Sequence, residues 1–313
     1  MKAKGNGGPA QVPDKVLAEL AEQVRALMWQ PRARAIFNAA GVHLTRAHFY
    51  SSLPSLAEIE SSFEYRGDGR PYGDSAVFDA GVMRTFLERL QPFAEEFAPP
   101  REGDRDDPRG FFWDNPAFSF SDAMAYWSLL RLVQPAVVLE IGSGFSTLIA
   151  KAALERNGRG RLVCVEPFPM PWLSRLGVEL IAQPVQELAL PFFEKLLAPG
   201  SVFFIDSTHT VKSGSDCLHL YLRILPRLRQ HLYVHAHDIF LPAGYPKSWL
   251  VDLDLHWTEQ YLLLALLEGN PDFRVLFGSN YHLLQNPELL QRFMGGKAAA
   301  GGGSFWFERL AKA

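Results

Sequence analysis

Two apolar runs in this sequence each end in an acid and an imidazole. Val202-Phe203-Phe204-Ile205 leads into Asp206-Ser207-Thr208-His209, and Leu232-Tyr233-Val234-His235 leads into Ala236-His237-Asp238. Hard carboxylates with one imidazole suit an octahedral divalent ion that keeps water positions open. A histidine, titrating near neutral pH, suits removal of a proton from a hydroxyl. Taken singly, a histidine at a strand end reads more readily as a structural hydrogen-bonding group. Four groups at two neighbouring strand ends, Asp206, His209, His237 and Asp238, favour a role at a site. His235 shares a strand face with His237 and reads as a deeper, core group. His43, His48, His219, His231, His256 and His282 take the structural reading.

A third segment with chemistry in it is Val137-Val138-Leu139-Glu140-Ile141-Gly142-Ser143-Gly144-Phe145-Ser146-Thr147. It reads as strand, tight turn and helix start. Gly142 and Gly144 tolerate positive φ and let a ligand approach the backbone closely. Glu166 closes the next apolar run, Leu162-Val163-Cys164-Val165. A carboxylate there is placed to accept both hydroxyls of a ribose. The alternative at this point is an ordinary strand–helix turn beside a surface glutamate.

The elements that must position these groups follow from the hydrophobic pattern. Strands are expected over residues 137–141, 161–165, 178–181, 202–205, 232–235 and 274–277, with a last one over 304–307. Helices are expected between them over 146–156, 213–225 and 258–267, and before them over 12–37, 75–97 and 121–132. Short strands that alternate with helices and are apolar almost throughout indicate a parallel sheet covered on both faces. The expected fold is therefore α/β, doubly wound, with about seven mostly parallel strands and one antiparallel strand near the C-terminus. A disordered tail (1–12), a helical N-terminal region (13–115) and a ligand-binding domain (116–313) divide the chain. Ligands in such sheets sit at the carboxyl ends of the strands, where all three segments converge. The aromatic stretch 240–261 reads as a lid or substrate wall, Phe118 and Phe120 as pocket wall or core, and the Gly/Ala segment 295–303 as a flexible connection.

Composition narrows the function. The chain has 313 residues, 48% hydrophobic, with 31 basic against 34 acidic side chains. That apolar content excludes disorder of the whole chain. A formal charge of −3 argues against a nucleic-acid partner held by phosphate neutralisation. Two cysteines, Cys164 and Cys217, cannot build a disulfide framework or a thiolate zinc site. Residues 1–10 lack the apolar core of a signal peptide, and no run approaches the roughly 18 apolar residues of a spanning helix. A soluble, cytoplasmic protein without membrane or nucleic-acid partners is the expectation.

Glu140-Ile141-Gly142-Ser143-Gly144-Phe145-Ser146, followed by Glu166 one strand later, resembles the first two motifs of class I S-adenosylmethionine-dependent methyltransferases. The resemblance spans about residues 115–310 and implies a Rossmann-like fold with S-adenosylmethionine as cofactor. It places Glu140, Gly142, Ser143 and Gly144 at the amino-acid portion and Glu166 at the ribose. Gln186, after the third strand, falls where the family contacts adenine. Asp206-Ser207-Thr208-His209 is similar to the Asp-x-x-His of macrolide sugar O-methyltransferases and related metal-dependent enzymes. That likeness implies His209 as general base beside Asp206, with Asp206, Asp238 and His237 as ligands of a divalent metal such as Mg²⁺. The acidic pair of that group is replaced here by His237-Asp238, one imidazole standing for a carboxylate. The implied activity is O-methylation of a small-molecule or sugar-type acceptor. The helical N-terminal region would cover the acceptor side or a homo-oligomer interface. Two alternatives stay open. A non-catalytic cofactor-binding module would keep the turn and Glu166 without the acid–imidazole cluster. An NAD-dependent oxidoreductase would need a third turn glycine where Ser146 and Thr147 stand.

Overall fold

The computed structural model describes residues 12–312; the tail expected over residues 1–12 lies outside them apart from Val12. The chain forms two compact units, Met1–Ser61 and Ser62–Ala313. The first carries α1 (Asp14–Leu27), α2 (Pro31–Ala39) and α3 (Leu56–Ser61), and among its described residues only Ile59 is buried. The single helix expected over 12–37 is two helices. Pro31 starts α2 at a position where its missing N–H costs no hydrogen bond.

The second unit starts with α4 (Ala80–Glu96) and α5 (Phe120–Val133). Asp79 caps α4 by accepting from Val82 N–H at 2.9 Å. Phe86, Leu87 and Leu90 of α4 share a core with α5, so the expected boundary at residue 115 falls inside this unit. After α5 the chain alternates: β1 (Val137–Ile141), α6 (Phe145–Asn157), β2 (Arg161–Val165), β3 (Glu179–Ile181), α7 (Leu190–Leu196), β4 (Ser201–Ile205), α8 (Asp216–Leu218). A π-helical turn, His219–Ile224, follows. The remainder is β5 (Leu232–Ala236), α9 (Lys247–Asp252), α10 (Glu259–Leu267), β6 (Phe273–Gly278), α11 (Ser279–Gln285), α12 (Pro287–Met294) and β7 (Phe305–Arg309).

All seven strands join one sheet in the order β3-β2-β1-β4-β5-β7-β6. Strands β1 to β5 pair in parallel, and β7 runs antiparallel to both β5 and β6. The two-residue period of each strand splits the core into two layers. Val138, Val202, Phe204 and Trp306 pack toward α4, α5 and α6. Leu139, Ile141, Phe203, Ile205, Val234 and Phe307 pack on the opposite face. Among the described residues no helix is long and apolar enough to cross a membrane.

Chain order reverses between β1 and β4, so the sheet opens a crevice beyond their carboxyl ends. Backbone hydrogen bonds carry the ladder one residue past the strands: Asp206 N–H donates to Ile141 O at 2.8 Å and His237 N–H to Ile205 O at 3.0 Å. Residues 142, 206 and 237 are thereby set side by side on that edge.

Behind the edge, Glu140 is fully buried. It accepts from Tyr126 Oη at 2.9 Å and Thr147 Oγ1 at 2.6 Å, tying α5, β1 and α6 together. Burial pushes its carboxyl up to about 7, against the opposing pull of those hydroxyls. A carboxyl whose pKa rises on folding contributes most below its unfolded value near 4.5, and the contribution fades as pH climbs through 7. Glu140→Gln, a neutral isostere, should therefore gain stability relative to wild type between pH 5 and pH 8, by about 1–3 kcal/mol. Urea unfolding at the two pH values measures it; a difference that does not change with pH would contradict the assignment.

Candidate active site

The turn after β1 is built by close approach. Gly142 has φ +81°, and a Cβ there would lie 1.6 Å from the Asp206 carbonyl oxygen. No side chain fits between β1 and β4 at this point. Gly144 caps α6, and its N–H donates to Thr147 Oγ1 at 3.0 Å. Because Thr147 in turn donates to Glu140, a relay from the buried carboxylate holds the turn from behind. Glu140 therefore does not face the open side of the turn, as the motif suggested, but supports it from the core.

Glu166 does face the turn. Its carboxylate accepts from Ser143 N–H at 3.3 Å and from Phe168 N–H at 2.8 Å. Gln186 lies exposed on a short 3₁₀ turn, where its amide donates to Gly214 O at 3.3 Å. Phe168, two residues past Glu166, is 88% exposed. Sequence reasoning passed over this ring, because one aromatic residue in a loop carries no periodic signal.

The ends of β4 and β5 bring the four acid and imidazole groups together. His209 Nε2 lies 3.3 Å from Asp206 Oδ1 and 3.6 Å from Asp238 Oδ2. His237 Nδ1 lies 3.4 Å from Asp206 Oδ2 and 3.5 Å from Asp238 Oδ2. His209 and Asp238 both have left-handed backbones, φ 56° and 53°. Such conformations cost energy and persist where the surroundings impose them. At His209 those surroundings are explicit. Its carbonyl accepts from Thr258 and Glu259 N–H, and Thr208 is clasped by the Asp216 carboxylate at 2.6 and 3.0 Å.

Each imidazole also has a carboxylate on its far nitrogen. His209 Nδ1 contacts Glu259 Oε2 at 2.8 Å, and Glu259, fully buried, accepts from Tyr221 Oη at 2.5 Å. His237 Nε2 contacts Asp122 Oδ2 at 3.2 Å. Neither Glu259 nor Asp122 was singled out as a functional residue from the sequence, because each lies far along the chain from its partner.

Burial disfavours charge on both imidazoles, yet the facing carboxylates win. His209 is pushed up to about 10 by Asp206 and Glu259, and His237 well above its ordinary value by Asp206 and Asp238. Asp206 is held far below the usual carboxylate range by His237 and His209, whereas burial raises Asp238. Among the described residues, Asp206, His209 and Asp238 form the group whose ligand atoms all lie within 4.8 Å of one another. The set expected from the sequence had His237 in place of His209. Glu259 thus fixes one ring nitrogen of His209 and leaves the other toward Asp206 and Asp238.

Beside this cluster opens a cavity of about 960 Å³, lined by Trp113, Phe120, Phe240, Trp249, His237 and Asp238, among others. Gly301, Gly302 and Gly303 form one of its walls. The segment read as a flexible connection is thus part of the site. A Cβ on Gly302 would lie 2.4 Å from the Asp122 carboxylate, and one on Gly303 would lie 2.7 Å from Asp238 Cα.

A family model described as a methyltransferase domain matches residues 139–239, from β1 to just past β5. An uncharacterised protein of Archaeoglobus fulgidus is 30% identical over 176 residues, which cover 53% of this chain and 79% of that protein. Among solved structures, the O-methyltransferase TomG of Streptomyces achromogenes, in complex with SAM, is 18% identical with a TM-score of 0.39. That match covers 72% of this chain and 90% of that one. An O-methyltransferase of Bacillus cereus in complex with SAH is 14% identical with a TM-score of 0.37, over 72% and 90% of the two chains. The domain match over β1–β5, the archaeal relative and the sheet order with its antiparallel β7 agree, and the chain belongs to the class I S-adenosylmethionine-dependent methyltransferase family.

Proposed function

We propose that this protein transfers a methyl group from S-adenosylmethionine to a hydroxyl of a small molecule, beside a divalent-cation site. One observation carries the reading: the Gly142–Gly144 turn with Glu166 and the acid–imidazole cluster occupy adjacent strand ends of one crevice, at the switch point between β1 and β4. The turn backbone would hold the amino-acid portion of the cofactor. Glu166 would accept the ribose hydroxyls, and the ring of Phe168 offers a face for the adenine. Bound there, the cofactor would supply a sulfonium methyl to the acceptor oxygen, with the C–S pair leaving on sulfur and the hydroxyl proton passing to the cluster.

A neutral hydroxyl is a weak nucleophile, so something must make it more acidic. Asp206, His209 and Asp238 have the donor types and spacing of a hard-cation site. A divalent cation held by them would supply Lewis acidity at the acceptor oxygen. His209, with Glu259 on one ring nitrogen and two aspartates facing the other, would serve as a ligand of that cation or as the base that takes the hydroxyl proton. What the chain contributes is placement, the in-line alignment of oxygen, methyl carbon and sulfur.

Two outcomes are expected. S-adenosylhomocysteine should bind in calorimetry, and Glu166→Ala should weaken it by about 10- to 150-fold, the loss of a charge-assisted acceptor worth about 1.5–3 kcal/mol. Unchanged affinity in a folded variant would remove Glu166 from the cofactor site. Mn²⁺ should bind near stoichiometrically by electron paramagnetic resonance, and Asp206→Asn should abolish that binding while sparing S-adenosylhomocysteine, since an uncharged amide is a weaker ligand. Equal Mn²⁺ binding by the variant would dismiss the cation site.

A further inference from the structure

The cavity beside the cluster has a polar end and an apolar body. Its body is walled by four rings from separate segments, Trp113, Phe120, Phe240 and Trp249. Phe240 and Trp249 meet edge to face, with centroids 5.0 Å apart. Along this body Asn115 and Ser119 are already engaged within the protein, and Arg101 and Asp114 form an exposed pair. Asn115 donates to Phe112 O and Phe118 O, both at 2.7 Å, and accepts from Ala117 and Phe118 N–H. Ser119 donates to Trp113 O at 2.7 Å, and Arg101 pairs with Asp114 at 3.2 Å. A polyhydroxylated ligand would find few partners there, and each hydroxyl stripped of water without one would weaken binding. A planar apolar ligand would find ring faces and edges. Polar groups turned toward the ligand concentrate at the inner end, at His237 and Asp238.

Asp122 governs that end. Its carboxylate, 4% exposed, accepts from four donors: Ser279 Oγ at 2.6 Å, Ser304 N–H at 2.8 Å, Gly303 N–H at 3.0 Å and His237 Nε2 at 3.2 Å. With its neighbour Ser121, which exchanges two hydrogen bonds with Gly301, it pins the glycine wall to the first turn of α5. Because a carboxylate locked among donors can only accept, it holds the Nε2–H of His237 and aims the other ring nitrogen, Nδ1, at Asp206, Asp238 and the cavity. His209 does not line this cavity; His237 does.

We propose that the cavity binds an aromatic hydroxy compound as methyl acceptor, its hydroxyl against His237, and that Asp122 is the residue that positions His237 for it. This rests on the methyltransferase reading above and replaces a sugar-type acceptor with an aromatic one. One acidic residue would then hold both the ring that meets the hydroxyl and the wall that confines the acceptor body.

The test uses the full chain saturated with S-adenosylhomocysteine and the probe 2-naphthol, with methyl α-glucoside as the polyhydroxylated comparison. If S-adenosylhomocysteine fails to bind the wild type, the methyltransferase reading fails, separately from this one. Given that complex, calorimetry should show 2-naphthol binding, about tenfold weaker in Trp249→Ala, and no binding of the glucoside. Absence of 2-naphthol binding, or glucoside binding of equal strength, overturns the aromatic assignment. Asp122→Asn should keep S-adenosylhomocysteine affinity and the KM for 2-naphthol within about threefold, while kcat for methyl transfer from S-adenosylmethionine falls about 10²-fold, as expected of misplacement. Equal loss of KM and kcat, or loss of the cofactor, would make Asp122 merely structural. Should that variant not fold, ¹⁵N-imidazole spectra of the wild type decide the matter. They should show His237 protonated on Nε2, with the Nδ1 resonance shifting when 2-naphthol joins the complex. A proton on Nδ1 alone, or no response, overturns the assignment.

Discussion

Asp206 and Asp238 are half-buried carboxylates held beside two buried imidazoles, and they offset the burial that disfavours charge on those rings. A buried ion without a partner costs several kcal/mol, so the two buried rings depend on the carboxylates beside them. The rest of the unit is arranged to keep that set together. Parallel pairing of β4 with β1 and β5 lines up the strand ends, and Gly142 permits the approach of β1 to within contact of the Asp206 carbonyl. Glu259 and Asp122, from α10 and α5, hold the two rings from behind.

This arrangement divides the crevice into three zones along one sheet edge. The Gly142–Gly144 turn and Glu166 lie at β1 and β2. The cluster lies at β4 and β5, and the aromatic cavity opens past β5. Methyl donor and acceptor oxygen must meet directly in line, so the cluster would flank the acceptor hydroxyl rather than stand between it and the methyl group. The strained backbones of His209 and Asp238 fall at the junction, where positioning matters most.

Most of the scaffold was legible in the sequence. All seven strands were expected within about two residues, because apolar runs bounded by turn residues are strong local signals. The turn, Glu166 and the four groups at β4 and β5 were legible for the same reason, since each ends such a run. The parts that were not legible depend on distance along the chain. Asp122 meets His237 across 115 residues and Gly303 across 181, and His209 meets Glu259 across 50. In sequence, Asp122 is an acid in a helix's first turn, a position explained by the helix dipole alone. The glycines at 301–303 read as flexibility because composition does not reveal that a Cβ would strike Asp122 or Asp238. Pro31, which starts α2, stands in the sequence as a helix-start residue, and that preference overrides the apolar periodicity that runs through it.

The central claim is spatial, that methyl donor, cluster and cavity meet at one point, so the most direct measurement is a crystal structure with S-adenosylhomocysteine bound. The account predicts its ribose on Glu166 and its sulfur in the β1–β4 crevice, directed toward the cavity mouth at His237 and Asp238. Density for the cofactor away from that crevice, or a sulfur turned from the cavity, would contradict it.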